Sequence, residues 1–401
     1  MRISTSQLFD QGVSGVLRKQ SSTAQMLEKL SSGKQVETAA DDPVAAIGID
    51  RLKQQNALAD QFLKNIDYAT TRLGLAESKL GLAETAAMAF RDKILQAVNG
   101  TLGDAQRQML ADDMQGTLDE LTSIANSQDE AGHFIFAGFN NENQPFETNA
   151  AGTVTYLGDS GERQAAIAGA VVLSTNIPGD KAFMLAPNGQ GEYAATYHAG
   201  QQGDFYLQRT EIMNPALATG SDYRLDFLDD GGGGITLEVR DASNTLISTV
   251  TNFDSVNPIN FAGLELQLSG SVAAGDSVDI TPRSHVSIFD TFSQAIALLS
   301  SDNVNTAAGQ AELAQILVNT DAGLNQLSIA RGEAGNSLKR LENYSARHEE
   351  EQVVNSGALS MLEDLDYAAA ISEFEKQQLA LNAVANVFGQ VGSVSLFDYL
   401  R

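Results

Sequence analysis

Cysteine and tryptophan are both missing from this 401-residue chain. Without cysteine there is no disulfide framework, no thiolate nucleophile and no thiolate metal ligand, so packing alone must hold the fold. Basic residues are scarce: 25 Lys and Arg stand against 51 Asp and Glu, a formal charge of −26 with a pI near 4.3. Such a surface repels phosphate backbones and anionic bilayers, which argues against nucleic-acid and membrane partners. No apolar run is long enough to span a bilayer, and Met1–Ser6 lacks the basic-then-apolar pattern of a secretory signal. Proline is rare, and six of the seven (145, 178, 187, 215, 258 and 282) fall in the middle of the chain. The flanks are left free to be helical.

The flanks carry heptads. Leu52, Ala59, Ile66, Leu73, Leu80, Ala87 and Ile94 recur every seventh position, and a second row holds Phe62, Ala69, Ala76, Ala83, Phe90 and Ala97. These are the a and d positions of about six repeats. Pro43 after Asp41-Asp42 is a natural first-turn residue, so the spacing predicts a rod of roughly 80 Å from there to Asn99-Gly100. Its seam (Leu52, Phe62, Ile66, Leu73, Leu80, Phe90 and Ile94) must lie against other helices. Residues 104–131 read as a second, antiparallel helix through Leu110, Met114, Leu118, Leu121 and Ala125. The period then turns strand-like at Phe134–Phe139.

Tyr223–Leu228 and Ile235–Arg240 alternate on either side of Gly231–Gly234 and read as a hairpin. Leu264–Leu268 and Val278–Ile280 alternate likewise. Helical period returns at Val286 and continues through Leu313, Leu317, Leu324, Leu327, Ala334, Leu338, Leu341, Leu359 and Leu362, interrupted by Arg331, Ser345, His348 and Gln352. Each chain end adds a weaker amphipathic stripe. Val13, Leu17, Leu27 and Leu30 form one; Ile371, Phe374, Leu381 and Phe388 form the other, with Leu396 and Phe397 in the closing tail.

Neither stripe would make a stable helix alone. Leaving them wet forfeits about 25 cal/mol per Å² of apolar surface, and neighbouring copies could cover them. The expected fold is mainly α at both ends with an all-β insertion: an elongated antiparallel helical rod plus an outer β domain. Residues 1–44 and 363–401 form the terminal coiled-coil assembly region. Residues 45–186 and 284–362 form the rod, with β-hairpin material at 134–184, and 187–283 the outer domain.

No constellation for chemistry stands out. His348-Glu349-Glu350 would need a second histidine at 352 to be a zinc site, and Gln352 is there. Asp226, Asp229 and Asp230 lack the glycine and glutamate of a calcium loop. No Ser-His-Asp spacing rises above chance. The reading is a non-enzyme without cofactor or metal.

Three stretches resemble the flagellins and flagellin-like hook-associated proteins of the bacterial flagellum. They are Leu27–Lys34 with Ala39-Ala40-Asp41-Asp42-Pro43; Arg91 with Val98-Asn99-Gly100-Thr101; and Leu362-Glu363-Asp364-Leu365-Asp366-Tyr367-Ala368 with Gln377-Gln378. Within that family the opening Met1-Arg2-Ile3-Ser4-Thr5, the switch Phe134–Gly138 followed by Gln144-Pro145-Phe146, and the tail Ser393–Phe397 are similar to the hook–filament junction members. Tyr399-Leu400-Arg401 partly echoes a flagellin tail. The resemblance implies export without a cleaved signal through the flagellar type III apparatus, to an extracellular place in the flagellum. Implied partners are like subunits in a ring, the first hook-associated protein, flagellin and a cytoplasmic export chaperone. Flagellin itself is the alternative, and an adhesin acting through residues 187–283 a more distant one.

Overall fold

Asp42 opens the longest helix of the first half. Its carboxylate accepts the N–H groups of Val44 (2.9 Å) and Ala45 (3.0 Å), and Pro43 occupies the first-turn position where no donor is needed. The helix then runs unbroken over Pro43–Val98. In the computed structural model, residues 5–98, 102–149 and 152–393 are described. Helices α1 (Thr5–Ser32), α2 (Pro43–Val98) and α3 (Asp104–Ala125) come first. Helices α4 (Ile288–Leu299), α5 (Ala307–Glu363) and α6 (Tyr367–Ser393) close the chain, with strands between the two sets.

The chain divides into two units: Met1–Lys64 with Tyr344–Arg401, and Asn65–Asn343. In the second unit the heptad rows of α2 are buried from Ile66 to Ala97. From Ala76 onward they pack with Leu110, Met114, Leu118 and Leu121 of α3, Phe289 and Phe292 of α4, and Leu313, Ile316 and Leu327 of α5. The Phe90 and Phe292 rings lie stacked 3.5 Å apart. Short hairpins dock on these helices: β1 (Phe146–Thr148) with β2 (Val154–Tyr156), and β3 (Gln164–Ala168) with β4 (Val171–Ser174).

A second core belongs to the β insertion. After β5 (Ala186–Pro187) come β6 (Tyr193–Tyr197), β7 (Tyr206–Ile212), β8 (Tyr223–Asp229), β9 (Ile235–Asp241), β10 (Leu246–Val250), β11 (Ile259–Phe261), β12 (Leu264–Ser269), β13 (Ser277–Pro282) and β14 (His285–Val286). Strand β14 pairs with β5, while strands β6 to β13 form one sheet ordered β10-β9-β8-β13-β6 and a second ordered β11-β12-β7. Alternate residues of both (Leu225, Phe227, Leu237, Val239, Leu266 and Ile280 among them) enclose a separate apolar core. The hairpin expected around Gly231–Gly234 is the β8–β9 pair, in register from Tyr223↔Asp241 to Asp229↔Ile235.

Two local expectations fail. Phe134–Phe139 forms no strand beyond a single bridge from Phe134 to Gln128. Ile135, Phe136 and Ala137 are all buried, so the alternation that marks a one-sided strand is absent. The Phe136 carbonyl accepts the Gly179 N–H (2.8 Å) and the Tyr156 hydroxyl (2.9 Å) in place of a ladder. The helix read over 104–131 stops at Ala125, because the Asn126 side chain pairs with both the N–H (2.9 Å) and the C=O (2.8 Å) of Phe146. The Asn99-Gly100 stop lies outside the described residues.

Candidate assembly surface

The first unit is built around two turns. The α1–α2 turn begins at Gly33, whose φ of +72° suits glycine. An added Cβ there would sit 2.8 Å from the Tyr367 hydroxyl at the start of α6. The Leu365 N–H donates to the Gly33 carbonyl (2.9 Å) and the Gln35 N–H to that of Glu363 (2.7 Å), so the α5–α6 turn is stitched to the α1–α2 turn. Ser22 on α1 donates to Gln377 on α6 (3.0 Å), which makes the two terminal helices antiparallel neighbours.

Charge holds the stitch. The buried Glu363 carboxylate receives the Lys34 ammonium at 2.6 Å and that of Lys53 at 3.0 Å. The hydrogen bond from Lys34, with that from Lys53 and both charges behind it, holds the Glu363 carboxyl below the usual range, and the same contact raises Lys34. Asp41 caps its own loop by accepting from the Thr38 N–H and hydroxyl (3.0 Å each), and is pulled down to about 2, first by that N–H. Asp366 caps α6 through the N–H groups of Ala368 (3.0 Å) and Ala369 (3.1 Å).

What surrounds these turns is apolar and uncovered. Among the described residues of this unit, Val36, Ile49, Ala59 and Ala370 are the buried apolar side chains. Of the residues proposed for assembly, Leu17, Leu27 and Ile371 are exposed, while Val13, Leu30, Phe374 and Leu381 are half-buried. Phe388 falls within α6 with its side chain outside the described residues, as are Leu396 and Phe397 altogether. Of the seam, Leu52 and Phe62 are half-buried here, whereas Ile66, Leu73, Leu80, Phe90 and Ile94 are buried in the second unit.

Sequence reading passed over Val44, Ile47, Val353, Val354, Met361, Leu379 and Val387, all exposed. Adjacent pairs such as Val353-Val354 fall outside a clean stripe, which hid them. It also passed over Glu363 as a site, although the quoted motif contains it. His348 is buried with its ring stacked on Phe62 at 5.3 Å, and Gln352 donates to Asp60 (2.6 Å). Asp230 accepts the Gly232 and Gly234 N–H groups (2.7 and 2.8 Å) as an ordinary turn carboxylate. Among the described residues no group of three acidic, His or Cys side chains could hold a metal, and no helix is long and apolar enough to cross a membrane.

The family described as the bacterial flagellin N-terminal helical region matches residues 3–141. Flagellar hook-associated protein 3 of Salmonella typhimurium is 26% identical over 405 aligned residues, covering 100% of both chains. Polar flagellin A of Vibrio parahaemolyticus is 22% identical, covering 91% of this chain and 89% of its own. The crystal structure of flagellar hook associated protein-3 from Legionella pneumophila superposes with a TM-score of 0.69 at 27% identity, covering 78% of this chain and 98% of that one. The Legionella structure matches the fold of N-terminal helices, an antiparallel β-rich region and C-terminal helices over the part of this chain that it covers. Over its whole length the chain is similar to flagellar hook-associated protein 3 and over its N-terminal third to the flagellin helical region, and these similarities support a structural subunit of the bacterial flagellum.

Proposed function

We propose that the chain stands outside the cell at the junction between hook and filament, and that it is held there by α1 and α6. The observation that carries this is the near-absence of a core in the first unit: its described part buries four apolar side chains and leaves Leu17, Leu27, Val44, Ile47, Met361, Ile371 and Leu379 in solvent. Covering such area on assembly is the largest favourable term available to it. Like copies in a ring are the first partners, with the first hook-associated protein on one side and flagellin on the other. An export chaperone gripping the C-terminal segment before assembly completes the set. Full-length similarity to hook-associated protein 3 supports the junction role over the filament role.

Removal of residues 365–401 tests the reading. The remainder should stay folded and soluble and fail to cap hooks in electron micrographs; capping by the truncated chain would end the proposal. Native copy number separates junction from filament. Around a dozen chains per flagellum is the expectation from family resemblance, and thousands would make the chain a flagellin.

A further inference from the structure

In the second unit the β sandwich meets α5 along strand β6. This strand is an edge of its sheet, paired on one side with β13. On its other side the Gln315 side chain does a neighbouring strand's work, accepting from the Ala195 N–H (3.3 Å) and donating to the Ala195 carbonyl (3.2 Å). One turn before Gln315, on the same face of the helix, stands Glu312. Both line a cavity of about 250 Å³ with Tyr197 of β6, Thr281 of β13, Arg283 beyond it and Gln294 of α4.

Glu312 is half-buried, yet among the described residues it has no hydrogen-bond or ion-pair partner. The groups facing the cavity explain why nothing offsets its burial. Tyr197 of β6 lines the cavity, but its hydroxyl accepts the Leu207 N–H (2.9 Å) and is pushed up mainly by its own burial, with the Glu312 charge adding to the rise. From α4 comes the uncharged Gln294. The cation, Arg283, acts on Asp290 of α4, pulling down a carboxyl that burial pushes up. Glu312 is raised by burial alone.

We propose that Glu312 is a proton-operated latch on this seam: ionised, it draws water into the cavity and loosens the sandwich from α5, and protonated, it lets the Gln315–Ala195 contact close. The sign follows from linkage. A carboxyl raised in the folded state penalises folding at high pH, and the penalty is removed as pH falls through the folded value toward the ordinary value near 4.3. Acid therefore tightens this seam.

The test uses the full chain and the substitution Glu312→Gln, which keeps shape and removes the charge. Melting is followed from about pH 8 down to about pH 5, above the pI near 4.3 so that the protein stays charged. At the upper end the Gln variant should melt about 2 °C above wild type, and the gap should narrow as pH falls. Hydrogen exchange at the Ala195 amide, compared between the two proteins at each pH, should converge over the same range. Gln315→Ala should expose that amide at every pH. A gap independent of pH would overturn the latch. So would a Gln variant less stable than wild type, since the carboxylate would then have a partner.

Discussion

The stretch of α2 before Lys64 and the stretch after it carry the same heptad spacing, and they meet different fates. Leu52 and Phe62 in the first unit are half-buried, while Leu73, Leu80, Phe90 and Ile94 in the second are covered to 1% exposure or less. The difference lies in what stands opposite. The second unit supplies α3, α4 and the middle of α5, with Phe289 and Phe292 among the residues filling its core. The first supplies only the end of α5 and two terminal helices whose own Leu17, Leu27 and Leu379 point to solvent. Heptad spacing prepares a helix for burial; it does not provide the partner. A unit that brings its own partners closes its core, and one that does not keeps apolar surface exposed, the surface that neighbouring copies are proposed above to cover.

The largest effect should come from Leu73→Asp. The site is fully covered, and an unpaired carboxylate there costs about 4 kcal/mol. The second unit should melt roughly 10 °C lower, and an unchanged melting temperature would show that its seam is not a core. Gly33→Ala comes next. It forces alanine to φ +72° and places a methyl 2.8 Å from the Tyr367 hydroxyl, together worth about 1–2 kcal/mol. Adding Tyr367→Phe should return the steric part and leave the backbone part. Full recovery would mean that the left-handed conformation costs nothing here.

Much of the molecule could be read before it was seen. The helices, the β8–β9 hairpin and the insertion all follow from period, proline placement and glycine runs, because each is a local property of the chain. The residues that interrupt the pattern on α5 could not be. Arg331 breaks the stripe because its guanidinium reaches Glu77 (2.7 Å) and Glu84 (3.1 Å) on α2, lying over Gly81, where an added Cβ would crowd it at 3.3 Å. Gln352 reaches Asp60, and His348 reaches Phe62. These pairs lie 247 to 292 residues apart in sequence wherever they are hydrogen-bonded, so no window along the chain contains both partners. The stitch through Glu363 was hidden the same way. Each half of it looks like a surface charge until Lys34, Lys53 and Glu363 are brought together.

Glu363→Gln probes that stitch with a smaller, pH-dependent effect. Both lysine heads are half-exposed, so the loss at neutral pH should be no more than about 1 kcal/mol. Because the Glu363 carboxyl is held below its ordinary value, its contribution is present above that value and lost as pH falls through the folded one. Wild type and variant should therefore converge in thermal melts of the turn region as pH falls below the ordinary carboxyl value. The direction is opposite to that expected of Glu312, where acid stabilises. A wild-type advantage undiminished at low pH would assign Glu363 a packing role and leave the ion pairs without energetic weight.

The smallest effect on the isolated chain, and the most informative, belongs to Leu17→Asp. Leu17 is 59% exposed in the middle of α1, so the same chemical change that wrecks position 73 should shift melting by about 0.5 kcal/mol or less. In the assembled state a carboxylate would stand where neighbouring copies are proposed to bury a leucine, and incorporation at the hook end should fall to background. The pair of substitutions thus separates two kinds of apolar residue that period alone cannot tell apart. If Leu17→Asp destabilises the lone chain as much as Leu73→Asp does, then α1 is already covered within one molecule, and the first unit needs no neighbour to complete it.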